Sequence, residues 1–251
     1  MIYPLIALLS VICWMVASLW AWRTAKSRFP AILFALGSLA CFSFILYLWI
    51  TGHRPPLRTL GETRLWYSFF LSLVGLVLYL RTRFFWMLSV SALLASVFAV
   101  INVCKPEIFD ASLMPALQSV WFVPHVTVYI FSYAVLSIAT LLAVVDVRKG
   151  QHPSHSALCH RLVRVGWGLL TMGMVMGALW AKEAWGDYWT WDPKETWAAA
   201  TWMVYLIFLH APKEVGKGGR LTLLVVAFLL LQMCWYGINF LPSAQGSVHT
   251  Y

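Results

Sequence analysis

Trp180-Ala-Lys-Glu-Ala-Trp185-Gly-Asp-Tyr188-Trp189-Thr-Trp191-Asp192-Pro193-Lys194-Glu195-Thr-Trp197 lies where one long apolar run, 163–182, gives way to the next, 194–211. Asp-Pro-Lys-Glu is a capping box with proline at the first helical position, so Asp192 is expected to cap a helix that starts at Pro193. The polar stretch before it is then a short loop between two helices, each long enough to approach the ~20 apolar residues a membrane crossing needs.

Working outward, six further runs of the same kind appear, giving eight in all: 2–22, 30–50, 65–81, 84–103, 124–146, 163–182, 194–211 and 221–240. No long polar domain or internal repeat interrupts them. The chain is 61% hydrophobic and 11% charged, against roughly 25% charged residues in soluble domains. The expected class is all-α: a polytopic membrane protein of about eight transmembrane helices, forming one membrane-embedded domain over 1–251.

The net charge of +9 does not point to nucleic acid, because the basic residues sit between apolar runs and so report topology. Met1 to Trp22 is apolar with no basic residue before it, unlike a secretory signal, and is read as a retained first helix. Arg23, Lys26 and Arg28 follow it. With the amino terminus outside, the inner segments carry Arg23, Lys26, Arg28, Arg81, Arg83, Arg148, Lys149, Arg161, Arg164, Lys213, Lys217 and Arg220. The outer ones carry half as many: Arg54, Arg58, Arg64, Lys105, Lys182 and Lys194. Both termini are therefore expected outside. So are 51–64, 104–123, the tryptophan-rich segment 183–193 and a tail over 241–251.

Six of the fifteen tryptophans fall between 180 and 202. An interfacial anchor belt explains one or two of them but not their concentration in one loop. Trp185 and Trp189, four apart, would share a face if the segment were helical. A flat aromatic floor near histidines suits a large planar ligand. The five cysteines form no Cys-x-x-Cys pair, so neither disulfide exchange nor a structural zinc site is expected. His152, His155, Cys159 and His160 cluster on an inner, basic segment without diagnostic metal spacing. Nor is there a nucleophile–base pair for covalent catalysis.

The segment resembles the tryptophan-rich WWD signature of the heme-handling proteins of cytochrome c biogenesis, and its Trp-Asp-Pro-Lys-Glu-Thr-Trp ending is similar to the CcsA (ResC-type) branch. The resemblance covers most of the chain. Trp49-Ile-Thr-Gly52-His53-Arg-Pro55 resembles the family's Gly-His-x-Pro segment. The residues after it depart from the usual Leu-Ser-Asn-Leu-Tyr-Glu pattern, though Glu62 is retained. Pro124-His125-Val-Thr-Val-Tyr-Ile-Phe-Ser-Tyr133-Ala134 is similar to the segment of its first external histidine. Tyr205-Leu-Ile-Phe-Leu-His210 is similar to that of its membrane histidine. Gly237-Ile-Asn239-Phe-Leu and His249-Thr-Tyr251 are similar to its last helix and second external histidine. The ending reads Val-His-Thr-Tyr where the family has Leu-His-Ser-Tyr.

The resemblance implies that heme (heme b) is carried to the outer face for covalent attachment to apocytochromes c with a CxxCH motif. It implies a separate CcsB/ResB-type membrane partner, and holocytochrome c synthase activity only in that complex. His125 and His249 would be axial ligands at the outer face, and His210, about 26 Å deeper by helical rise, an inner one. Trp185, Tyr188, Trp189, Trp191 and Asp192 would contact the heme. His53 could support the partner or the heme edge. The cations Lys182, Lys194, Arg54, Arg58 and Arg64 could meet propionates or merely the surface. The expected location is a bacterial cytoplasmic membrane with the active face periplasmic, the thylakoid membrane being the alternative. Two other readings stay open: an exporter or chaperone without synthase activity, and a b-type heme electron-transfer subunit, for which mid-membrane histidine pairs would be more natural.

Overall fold

The computed structural model describes residues 2–24, 27–105, 119–148 and 153–242. The second external histidine, His249, the tail beyond residue 242 and His152 lie outside them. Among the described residues there are eight α-helices and no strand: α1 (Ile2–Arg23), α2 (Phe29–Gly52), α3 (Leu60–Thr82), α4 (Phe85–Cys104), α5 (Phe122–Arg148), α6 (Pro153–Trp185), α7 (Pro193–His210) and α8 (Gly216–Trp235). Seven are long and apolar enough to cross a membrane. The exception is α7, whose 18 residues begin with Lys194 and Glu195 in the first turn. The molecule is a multi-pass membrane protein of the expected all-helical class.

The helix ends show where the apolar runs understate the helices. Thr59 and Glu62 form a complete capping box, so α3 starts at Leu60, more than a turn before its apolar run. The α6 helix starts ten residues before its run, at Pro153, and carries His155, His160, Arg161 and Arg164 along its first turns. Helix formation needs no apolar side chains where the chain is outside lipid. Conversely, α8 does not continue to residue 240. It ends at Trp235, and Gly237–Phe240 form a 3-10 turn.

The helices group into two compact units, 1–113 and 114–251. In the first, α1 packs on α2 and α4, and α3 on α4 and α2. Trp14 is fully buried and donates its indole N–H to Ser38 Oγ at 3.1 Å. Buried Ser68 and Ser72 bond back to carbonyls of their own helix, Arg64 and Phe69. This is how a hydroxyl is satisfied where no water is available. Large apolar side chains point outward along α1 and α2, including Leu5, Ile12, Leu19, Ile32, Leu39 and Ile50, as they do on a surface that meets lipid.

In the second unit α5 is the central element. It packs on α6 and α8, while α7 bridges α6 and α8. The α5–α6 contact is close because α6 turns glycines to it: a Cβ at Gly166 would lie 2.6 Å from Leu136 atoms, and one at Gly173 2.8 Å from the Tyr129 ring. Small residues of this kind let membrane helices approach closely. Ser132 Oγ adds a hydrogen bond to the Gly166 carbonyl at 2.7 Å.

Candidate functional site

His125 lies in the first turn of α5, directly over the glycine seam of α6. Its Nδ1 is 2.8 Å from the Gly173 carbonyl. A carbonyl only accepts, so Nδ1 carries the proton and the basic lone pair sits on Nε2. That tautomer, with a hydrogen bond on the far ring nitrogen, is the arrangement that orients a metal-binding imidazole. One turn later, Gly177 makes room for the ring: a Cβ there would stand 2.7 Å from Cε1 and 2.8 Å from Nδ1. Tyr129 meets the ring edge-on at 4.7 Å, and Trp180 lies against it at 5.5 Å with a 32° tilt. Gly173 and Gly177 were not singled out by motif reading. The signal that finds them is Gly-x-x-x-Gly on a membrane helix.

The tryptophan segment splits into buried support and exposed rings. Trp180, only 1% exposed, packs on Phe122 and Trp185 at 5.2 and 4.8 Å. The α6 helix stops at Trp185, and Gly186 takes a left-handed φ of 92°. Trp185 and Trp189 therefore do not share a helical face, which corrects the expectation from their spacing. Lys182 reaches over the turn, donating to the Gly186 carbonyl and lying 5.3 Å above the Tyr188 ring. Tyr188 and Trp191 are 56% and 69% exposed. Trp189 meets Trp191 edge-on at 5.7 Å, and its indole Nε1 is buried without an acceptor among the described residues.

Trp191 adopts φ 58°, a left-handed conformation that is an outlier for a bulky residue. What holds it is the capping box just beyond. Asp192 Oδ1 accepts from the Lys194 N–H at 3.0 Å, as expected of a cap. Glu195 Oε2 accepts from the Asp192 N–H at 3.1 Å and also from the Thr190 N–H at 2.8 Å. Thr196 Oγ1 donates to the Trp191 carbonyl at 3.1 Å. Asp192 and Glu195 are both buried. A single carboxylate thus ties the loop on either side of Trp191 to the start of α7. Ser119, ahead of α5, is hydrogen-bonded to Glu183 near the end of α6. Beneath the loop, Cys234 of α8 contacts the Lys194 carbonyl and the Tyr133 hydroxyl.

The structure does not bring His210 to this site. It ends α7, about 26 Å along the helix from Pro193, with Nδ1 3.0 Å from the Leu206 carbonyl. Its ring is exposed, and its Nε2 is likewise the basic nitrogen. In the first unit, His53 is the left-handed C-cap of α2. Arg54 is engaged in a bidentate pair with Glu62, at 2.9 and 3.1 Å. Arg64 is buried, with Nη1 3.5 Å from Asn102 Oδ1. Burial first, and then Arg54, push the Arg58 guanidinium below its usual pKa, with Glu62 opposing. Of the expected outer cations, Arg54, Arg64 and Lys182 are thus already held by protein oxygens.

The residues fit heme as a ligand on three counts. They offer an imidazole with its lone pair on Nε2, exposed rings at Tyr188 and Trp191, and in Trp189 a buried N–H donor without an acceptor among the described residues. They do not define a second axial ligand among the described residues.

Comparison with known proteins points the same way. The model for the family described as Cytochrome C assembly protein matches residues 2–244. The cytochrome c biogenesis protein CcsA of Chlamydomonas reinhardtii is 34% identical over 242 residues, covering 88% of this chain and 68% of its own. CcsA of Nymphaea alba is 33% identical, covering 81% and 79%. CcsA of Marchantia polymorpha is 29% identical, covering 85% and 84%. A solved structure of the cytochrome c heme lyase CcmF superposes with a TM-score of 0.72 over 93% of this chain at 19% identity. This chain spans 46% of that one, and at such identity the likeness speaks to the fold.

Proposed function

The chain belongs to the family of cytochrome c assembly proteins, and from that premise we propose that it carries heme as a substrate to the membrane face bearing the tryptophan loop and presents it there to CxxCH apocytochromes. The observation that carries this reading is the His125 Nδ1–Gly173 hydrogen bond at 2.8 Å, which turns Nε2 into the ligating atom on a ring packed against Trp180, the first tryptophan of the segment. Heme would supply the iron that imidazoles ligate and the vinyl carbons to which cysteine thiols add. Everything else falls to the protein. His125 holds position and tautomer. The tryptophan loop contacts the ring and keeps water from one face. Trp189 offers its indole N–H to an acceptor on the ligand.

In this reading His249 supplies the second outer imidazole, and His210 meets heme at the other end of α7. A CcsB/ResB-type partner completes the assembly, and synthase activity belongs to that complex. The histidines at helix ends favour this over a b-type electron-transfer subunit, which would hold paired histidines mid-membrane. The test is to purify the protein with its partner and add a CxxCH peptide. Bound heme should become covalent on the peptide. Transfer without covalent attachment would leave an exporter or chaperone. Stable redox cycling with no transfer would support the electron-transfer reading.

A further inference from the structure

At the end of the second unit remote from the tryptophan loop, α5, α6, α7 and α8 line a half-open cavity of about 280 Å³. Its apolar lining comes from Ala143, Val147, Phe208, Leu221 and Leu224. Among them stand the titratable side chains of Asp146, His160, Lys217 and Arg220. Arg220 is fixed in place, with Nη1 2.8 Å from His160 Nε2 and Nη2 2.7 and 3.4 Å from the Ala211 and Pro212 carbonyls. Each of these partners is neutral. Because Arg220 donates to Nε2, His160 is the uncharged tautomer; its ring stacks on Phe208 at 4.8 Å. A guanidinium has five N–H donors, so Arg220 keeps donors for a ligand. The one carboxylate in the lining, Asp146, is 2.9 Å from His155 Nδ1. Among the described residues no carboxylate pairs with Arg220 or Lys217.

We propose that this cavity binds the phosphate head of an anionic phospholipid, with Arg220 and Lys217 on the phosphate and the apolar side chains of Phe208, Leu221 and Leu224 against the start of an acyl chain. Basic pockets between membrane helices at the cytoplasmic boundary are suited to such heads, and the basic residues of this chain concentrate at these helix ends. The volume lies just below the ~300–1,000 Å³ of pockets that engulf a whole drug-sized ligand. It therefore suits the head of a larger amphiphile whose body stays in the bilayer. Arg220 also holds the Ala211–Pro212 turn after His210, so an occupant would brace the end of α7.

The protein with its partner, reconstituted in nanodiscs of mixed phosphatidylglycerol and phosphatidylethanolamine and released for native mass spectrometry, should retain phosphatidylglycerol preferentially. Lys217→Gln, at an exposed position, should lower that retention about fivefold while leaving heme content unchanged. Arg220→Gln should lower it further, and Lys217→Gln keeps the test valid if Arg220→Gln fails to fold. Equal retention of both lipids, or no change in Lys217→Gln, overturns the proposal. Displacement of the lipid by inorganic phosphate alone would make the cavity a free-anion site and also overturn it. So would loss of heme in Lys217→Gln with lipid retention intact, since the cavity would then belong to heme entry.

Discussion

At the scale of single residues, the arrangement around His125 makes a sharp demand on a residue that has no side chain. Gly177→Ala would bring a methyl within 2.8 Å of Nδ1, so the ring must tilt and the bond to the Gly173 carbonyl must lengthen. We expect both Gly177→Ala and His125→Ala to lose the low-spin heme spectrum. Added imidazole should restore only His125→Ala, because only there is a ligand position vacated. Gly168, on the same helix, has open space where its Cβ would stand. Gly168→Ala should keep heme and gain up to ~1 kcal/mol from helix propensity. A normal spectrum in Gly177→Ala would sink this account of how His125 is held. Trp191 is the second sharp residue. Its left-handed φ costs about 1–3 kcal/mol, so Trp191→Gly should unfold at no lower temperature than the parent while losing heme. Trp189→Ala should lose heme too, and Trp20→Ala, exposed on α1, should lose none. A marked fall in the melting temperature of Trp191→Gly would mean that the ring is structural. Equal heme in all three would leave the segment a membrane anchor.

At the scale of elements, Glu195 carries more than a helix cap. Its Oε2 serves the backbone N–H groups of both Thr190 and Asp192. Glu195→Ala should therefore cost about 1–3 kcal/mol through the buried donors it leaves unmet. Hydrogen exchange at 187–192 should rise well above that in Asp192→Asn, which retains a capping oxygen. Matching exchange in the two variants would show that the loop does not depend on Glu195. The cap was legible in Asp-Pro-Lys-Glu because capping is local chemistry. So were the eight helices, since lipid demands long apolar runs. What was not legible follows from packing. The end of α6 at Trp185 depends on Gly186 at φ 92°, and a glycine alone does not announce a stop. The glycine seam under His125 is visible in spacing, but which α5 residue rests on it is decided by the approach of the two helices. The polar start of α6 escaped because a hydropathy scan finds lipid contact, not helix.

At the scale of the whole molecule, α7 decides which face each loop meets. Eight crossings return both termini to one side, with the tryptophan loop, and leave 154 and 217 on the other. The twofold excess of basic residues in the segments read as inner favours that arrangement. Yet α7 has 18 residues and begins with Lys194 and Glu195, so it falls short of the length and hydropathy of the other seven. Buried polar groups along it are tolerable because protein, not lipid, surrounds them: Glu195, Thr201 and Tyr205 all face the packed interior. A short helix supported by α6 and α8 can cross where an isolated one would not. Single cysteines in a background without native thiols test this. Asp187→Cys and Ser247→Cys should react with an impermeant thiol reagent from the outer face. Ser154→Cys and Lys217→Cys should react only after the membrane is opened. If Lys217→Cys reacted alongside Asp187→Cys, α7 would enter and leave on one face, and His210 would lie on the same side as the tryptophan loop. The route from His210 to His125 would then fail, whereas reversal of all four labels would overturn the orientation and leave that route intact.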